Sequence, residues 1–245
     1  MTELDNPVWW ALTGRQRRLG RTSRSAGLFD PEISPFGAFS GEPTADHWDD
    51  LVGLIGPSGQ VALVHPGDGV DPIPTPEEWT SHRRTRALQM TGERLVSRSD
   101  QPTPPGSGPL AAPLDHPVAL GADDVADILA LVEVARPGPF LPRTVEFGGY
   151  VGIRRAGRLV AMAGERIRPP GHVEISAVAT HPDLRRQGLA ETVVAAVAAT
   201  AHERGEIPFL HVAASNAGAI ALYESMGFAV RRTITFELVE APPAG

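Results

Sequence analysis

The chain has 245 residues, enough for one large or two modest domains, and its formal net charge is −7. It contains no cysteine, which excludes disulfides, cysteine-ligated zinc and a cysteine nucleophile. All 22 basic residues are arginine and form no basic stripe, so nucleic acid is not an expected partner.

The acidic start Met1-Thr2-Glu3-Leu4-Asp5 lacks the basic residues and apolar core of a signal peptide. No run of about 18 apolar residues follows anywhere, so no membrane partner and a cytoplasmic location are expected. Asn6 is placed to cap a helix with Pro7 at its first position, running through Trp9, Trp10 and Leu12 towards Arg18. Residues 26–29 and 35–40 read as short strands around the turn-forming Asp30-Pro31. Thr44 or Asp46 caps a helix through Trp48, Leu51, Leu54 and Ile55, which Gly56-Pro57-Ser58-Gly59 ends. A buried strand is expected over 60–65, a turn-rich stretch over 67–76, a single helical turn at 77–80 and a strand at 85–90. Trp9, Trp10 and Trp48 read as core residues.

Residues 97–113, rich in proline, serine and glycine, read as a linker. The expected organisation is therefore an N-terminal α/β domain over 1–96, the linker, a second domain over 114–240 and a disordered tail over 241–245.

In the second half, 117–120 fits a first strand, and Gly121-Ala122-Asp123-Asp124 opens a helix through Val125, Ile128, Leu129, Leu131 and Val132. The prolines of 136–142 break any helix, and 144–148 reads as a short second one. Residues 150–154 and 159–166 form a hairpin around Arg155-Ala156-Gly157-Arg158, and Pro169-Pro170-Gly171 turns into a strand over 172–180. A helix over 189–203 stops before Gly205, a strand covers 207–212, and Ser215 or Asn216 caps a helix that Gly227 ends. The last strand, 228–238, is interrupted near Arg231-Arg232.

The junction of the 172–180 strand with the following helix is the most informative stretch. Strand, turn, Arg185-Arg186-Gln187-Gly188, then helix is a phosphate-binding arrangement. The first helical N–H groups have no intrahelical acceptor, and the dipole end there is positive. Gly188 lets an anion approach the backbone, and the two arginines add charge. No metal site is expected, because His172, His202 and His211 lack ligand spacing, and His181 reads as a solvent-facing turn residue.

Glu174 in the strand, R-x-x-G-x-A over 185–190, and N-x-x-A-x-x-L-Y-x-x-x-G-F over 216–228 together resemble the GNAT superfamily of acetyl-CoA-dependent N-acetyltransferases. Within it, the Glu174–Pro182 run is most similar to the glycine N-acyltransferase-like branch. The resemblance covers about 116–238. Each piece alone is unspecific; the combination is specific. It implies an α/β fold with a mixed central sheet flanked by helices, beside a smaller α/β N-terminal domain. Helix, glycine turn, strand is also the rhythm of that N-terminal half. The half is therefore either a degenerate GNAT-like copy or an unrelated cap.

The resemblance implies acetyl-CoA as co-substrate and direct acetyl transfer to a primary amine: a small amine, an amino acid or a protein N-terminus. Val178, Ala179 and Thr180 would meet the pantetheine arm, and Arg185, Arg186, Gln187, Gly188, Leu189 and Ala190 the pyrophosphate. Asn216 would meet pantetheine or simply cap its helix. A half-buried strand carboxylate can have a raised pKa, so Glu174 is the candidate general base; the alternative is a structural carboxylate paired with an arginine. Tyr223 is the candidate general acid towards the sulfur; the alternative is packing. Phe140, Arg143, Glu146 and Tyr150 are candidates to line the acceptor site. A monomer or homodimer is expected. The competing reading is a non-catalytic acyl-CoA-binding or interaction protein.

Overall fold

The computed structural model describes residues 2–67, 73–93, 95 and 116–244. The expected linker at 97–113 lies outside them. In chain order the first part comprises α1 (Pro7–Thr13), β1 (Gly20–Thr22), β2 (Ala26–Phe29), β3 (Phe36–Phe39), α2 (Ala45–Ile55), β4 (Gln60–Pro66) and β5 (Thr80–Thr91). The second part comprises β6 (Val118–Ala119), α3 (Val125–Ala135), β7 (Val151–Arg155), β8 (Arg158–Glu165), β9 (His172–Thr180), α4 (Leu189–Glu203), β10 (Ile207–Ala213), α5 (Ala217–Ser225) and β11 (Ala229–Glu240).

Among the described residues, all 11 strands join one mixed sheet in the order β1-β2-β3-β4-β11-β5-β10-β9-β8-β7-β6. Among these described strands only β3–β4 and β9–β10 pair in parallel, each pair linked through a helix as parallel pairing requires. The two 12-residue strands are exchanged. β5 lies between β10 and β11, and β11 lies between β4 and β5. The elements on the two sides of the expected boundary therefore share one sheet. β3–α2–β4 repeats β9–α4–β10 in order and pairing, and each unit leads to a long strand.

Several local expectations are corrected. α1 stops at Thr13, and Arg17–Leu19 forms a separate 3-10 turn. Asn6 precedes the helix, but its amide donates to the Phe39 carbonyl (2.7 Å) instead of capping. Residues 77–79 form a plain turn, and β5 begins at Thr80, earlier than the expected 85. Trp48 is buried as expected, whereas Trp10 is 40% exposed. The tail is anchored at its start: Ala241 is buried, its N–H bonds the Gly59 carbonyl, and the Pro242 carbonyl accepts from Ser58.

The core on one face spans both parts. Phe29, Ile33 and Phe36 pack with Phe147, Tyr150 and Met162, and the Phe29 and Phe147 rings meet edge to face at 5.1 Å. The opposite face buries Leu189, Val193 and Val197 of α4 with Tyr223 of α5. Polar ties cross the same junction. Gln16 donates to the Arg166 carbonyl and accepts from the Arg168 N–H, and Thr144 donates to the Ile33 carbonyl.

β5 supplies a partner edge for both β10 and β11, and β4 pairs the other side of β11, so a fragment lacking residues 1–92 exposes three unpaired strand edges. Expressed alone, that fragment is expected to aggregate and to show no cooperative thermal transition by circular dichroism. A soluble, cooperatively melting fragment would show that the exchange is dispensable.

Candidate functional site

The site begins where β9 and β10 part. Their parallel pairing runs from His172↔Ile207 to Glu174↔Phe209 only, although β9 continues to Thr180 and β10 to Ala213. A bulge in β9 accompanies the parting. Across β8, Met162 faces Ala179 but Gly164 faces Ser176, and Ala177 sits at φ 52°. A left-handed non-glycine residue costs about 1–2 kcal/mol, so flanking pairs must hold it. The result is a slot between two strands, walled on one side by Val178, Ala179 and Thr180 without a strand partner from β10. The Thr180 hydroxyl is buried and has no hydrogen-bond partner.

At the C-terminal end of β9, Pro182–Leu184 makes a 3-10 turn into Arg185, Arg186, Gln187 and Gly188, all exposed. Arg186 (φ 61°) and Gly188 (φ 77°) are both left-handed, and Gly188 is the N-cap of the 15-residue α4. A Cβ on Gly188 would meet nothing within 4 Å, so glycine is required by its backbone angle, in a mouth open to a ligand. Leu189 is buried and pins the helix start, with Ala190 following in the first turn. The Gln187 side-chain oxygen Oε1 accepts from Arg155 (2.7 Å), which brings a further guanidinium to this loop. His181 is not solvent-facing as expected: its side chain is 12% exposed and bonded to Arg158.

Tyr223 projects from α5 into the core beside Leu189, Val194 and Phe228, and its ring meets Phe228 edge-on at 5.9 Å. Burial pushes its phenol up to about 12, so the proton stays on at neutral pH. Asn216 caps α5 by accepting from the Ala219 N–H (3.1 Å), and it is exposed.

Glu174 stands on the last paired rung below the slot and is fully buried. Its carboxylate accepts from Arg166 Nε (2.8 Å), Arg166 Nη2 (2.5 Å) and His211 Nδ1 (2.8 Å). Burial pushes its pKa up, but the Arg166 charge and hydrogen bonds, with those of His211, outweigh that and hold it at about 2. The general-base expectation is thereby corrected: the pKa is lowered where a base needs it raised. Arg166 in turn lies 4.7 Å over the Phe36 ring, a contact with the N-terminal part.

The four acceptor-site candidates divide. Phe140 and Tyr150 are buried together, rings 5.6 Å apart and edge to face. Tyr150 lies on Gly164, where a Cβ would come within 2.1 Å of the ring, so glycine there makes room for the tyrosine. The Tyr150 hydroxyl is buried and unpartnered, and burial raises its pKa. Arg143 and Glu146 do not join them. Arg143 pairs with Glu146 (2.6 Å), Asp30 (2.9 Å) and Glu32 (3.1 Å), a surface clamp onto the β2–β3 turn that spends both charges. The residues not anticipated are Arg166, His211 and Gln89. Among the described residues no group of three or more His, Asp or Glu could hold a metal, and no helix is long and apolar enough to cross a membrane.

A family model described as FR47-like protein matches residues 150–236. No curated protein matches the chain. Among solved structures, an acetyltransferase of the GNAT family from Novosphingobium aromaticivorans is 36% identical, with all of both chains covered and a TM-score of 0.80. A GCN5-related N-acetyltransferase from Kribbella flavida is 20% identical, covering 96% of this chain and 94% of the other, with a TM-score of 0.60. A GCN5-related N-acetyltransferase-like protein from Streptococcus suis is 17% identical, covering 96% and 92%, with a TM-score of 0.55.

The Glu174 environment makes a stability prediction. Its carboxyl is lowered from the ordinary 4.5 to about 2, so its contribution is complete above 4.5 and is lost as pH falls from there towards 2. Glu174→Gln leaves Arg166 buried without a counter-charge and is expected to cost about 3–5 kcal/mol in urea unfolding at pH 7. The gap to the wild type should narrow at pH 3. Equal stability at pH 7 would contradict the buried pair.

Proposed function

Because the chain belongs to the GNAT family of acetyltransferases, we propose that it transfers an acetyl group from acetyl-CoA directly to a primary amine. The observation that carries this reading is the slot between β9 and β10, with a basic, glycine-capped helix N-terminus at its mouth. Pantetheine lies in the slot as an added strand, bonding the free edge of Val178, Ala179 and Thr180. The pyrophosphate sits on the N–H groups from Gln187 to Ala190, with Arg185 and Arg186 beside it.

Over the whole step the amine nitrogen gains the acetyl carbon and loses a proton, while the carbon–sulfur bond breaks and the sulfur takes a proton. N–H groups at the β9 bulge face the thioester carbonyl and stabilise its developing negative charge. Tyr223 donates a hydrogen bond to the leaving sulfur; with its phenol at about 12 it keeps an O–H to give throughout the physiological range. Glu174 braces the floor of the slot through Arg166. The amine therefore arrives neutral, its proton already lost to water. Phe140 and Tyr150 line the acceptor side, where a small amine, an amino acid or a protein N-terminus would enter. The Glu174–Pro182 run supports the glycine N-acyltransferase-like branch. The N-terminal half is a copy of the same fold without the basic loop, and the protein works in the cytoplasm as a monomer or homodimer without a metal.

Calorimetric titration of acetyl-CoA tests the site. The wild type is expected to bind, and Gly188→Glu, which puts a carboxylate where the pyrophosphate sits and strains a left-handed position, is expected to lose all measurable affinity. Equal affinity in the variant would dismiss the loop. Tight binding with no thiol release on any amine would favour the non-catalytic reading instead.

Tyr223→Phe is expected to slow thiol release by roughly 10–100-fold with coenzyme affinity unchanged. An unaltered rate would leave Tyr223 a packing residue.

A further inference from the structure

A line of hydrogen bonds runs from the buried floor of the slot out to the exposed N-terminus of the chain. His211 Nδ1 is 2.8 Å from Glu174 Oε1, and His211 Nε2 is 3.1 Å from the side-chain nitrogen of Gln89. The same Gln89 nitrogen donates to the Leu4 carbonyl (2.9 Å), and Gln89 Oε1 accepts from Arg231 Nη1 (2.8 Å). Arg231 Nη2 continues to Asp5 (2.6 Å) and to the Thr2 hydroxyl (2.9 Å). Gln89 and the His211 side chain are each 1% exposed, so water does not substitute for these partners.

The chemistry of the ends orients the middle. Arginine only donates and a backbone carbonyl only accepts, so the Gln89 amide has one possible orientation: oxygen to Arg231, nitrogen to Leu4. Its second N–H then points at His211 Nε2, which must offer a lone pair. The ring proton is left on Nδ1, where it is donated to Glu174. The other tautomer would set a lone pair against the Glu174 carboxylate and an N–H against the Gln89 N–H. Both contacts are repulsive in a site without water.

We propose that Gln89, from the exchanged strand β5, is a positioning residue of the acetyl-transfer site: by fixing His211 as the Nδ1–H tautomer it holds the Glu174–Arg166 pair in place at the floor of the slot. The assignment rests on the proposed transfer in that slot. It gives the N-terminal half a part in the reaction, because Gln89 and the Leu4, Asp5 and Thr2 groups that orient its amide and Arg231 all belong to that half.

Long-range proton–nitrogen correlation spectra of the full-length protein with labelled histidine read the tautomer directly, with His211 assigned from a His211→Gln spectrum. The wild type is expected to show a protonated Nδ1 and an unprotonated Nε2; a protonated Nε2 overturns the proposal whatever the variants do. Gln89→Glu places an acceptor against Nε2 and is expected to move a proton there. Enzyme-dependent thiol release from acetyl-CoA, with hydroxylamine as a small acceptor, should then fall roughly tenfold. Calorimetric acetyl-CoA affinity should stay within about twofold, since Gln89 lies off the coenzyme loop. A changed tautomer with an unchanged rate removes the positioning role. Gln89→Met, which keeps the shape without either hydrogen bond, reads the same rate if the glutamate variant fails to fold. A wild type that binds no acetyl-CoA would instead count against the proposed function and leave the tautomer result standing.

Discussion

The insertion of β5 between β10 and β11 is the constraint on which the rest of the structure depends. β10 pairs in parallel with β9 on one edge and needs a partner on the other. β5 supplies it, and with its second edge it pairs antiparallel to nearly the whole of β11. Neither half can complete its sheet from its own strands. The buried face over this junction then brings aromatic rings of the first half onto polar groups of the second, most directly Phe36 under the Arg166 guanidinium. A cation held on a ring in a dry interior gains more than at the surface, about 2 kcal/mol where water is excluded. The exchange thus fixes both the floor of the slot and what covers it.

The two titratable groups flanking the slot are driven apart. Glu174 is pulled down to about 2 by Arg166 and His211, whereas burial lifts Tyr223 to about 12. Neither takes up or releases a proton easily near neutral pH. Two groups tuned in that way suit a site that acts by position and by fixed donors. The bulge at Ala177 fits the same view, since it spends backbone strain to aim strand groups into the gap.

What the sequence made legible was local. Gly188, Gly205 and Asn216 announce their own backbone angles or caps, and the β9-turn-α4 unit is continuous in sequence, so its strand, turn and helix stand where expected. The exchange could not be read, because pairing residues 80–91 with 209–213 and 229–240 is a matter of distant partners that no periodicity encodes. Arg143 misled for a related reason: besides Glu146, its partners Asp30 and Glu32 come from the other half. Arg166 was within reach. Residues 166 and 174 are placed symmetrically about the Pro169-Pro170-Gly171 turn, and an arginine opposite a glutamate across a hairpin points to a pair.

The repeat within the fold shows what separates a slot from a site. β3 and β4 pair in parallel only at Phe36↔Ala62 and Gly37↔Leu63 and then part, much as β9 and β10 part beyond Glu174. A cavity of about 420 Å³ opens there, lined by Phe39, Glu42, Leu63 and His65 among others. The turn into α2, residues 40–44, carries Glu42 and no arginine, where the turn into α4 carries Arg185 and Arg186. The Asn6 amide also occupies the Phe39 carbonyl at the parting strands. Backbone geometry alone would give both halves an opening for an extended ligand. Coulombic attraction then distinguishes them, because a pyrophosphate at a helix N-terminus gains from two guanidinium groups and loses beside a carboxylate. The fold makes the opening twice, and the side chains of one short turn decide which opening suits an anion.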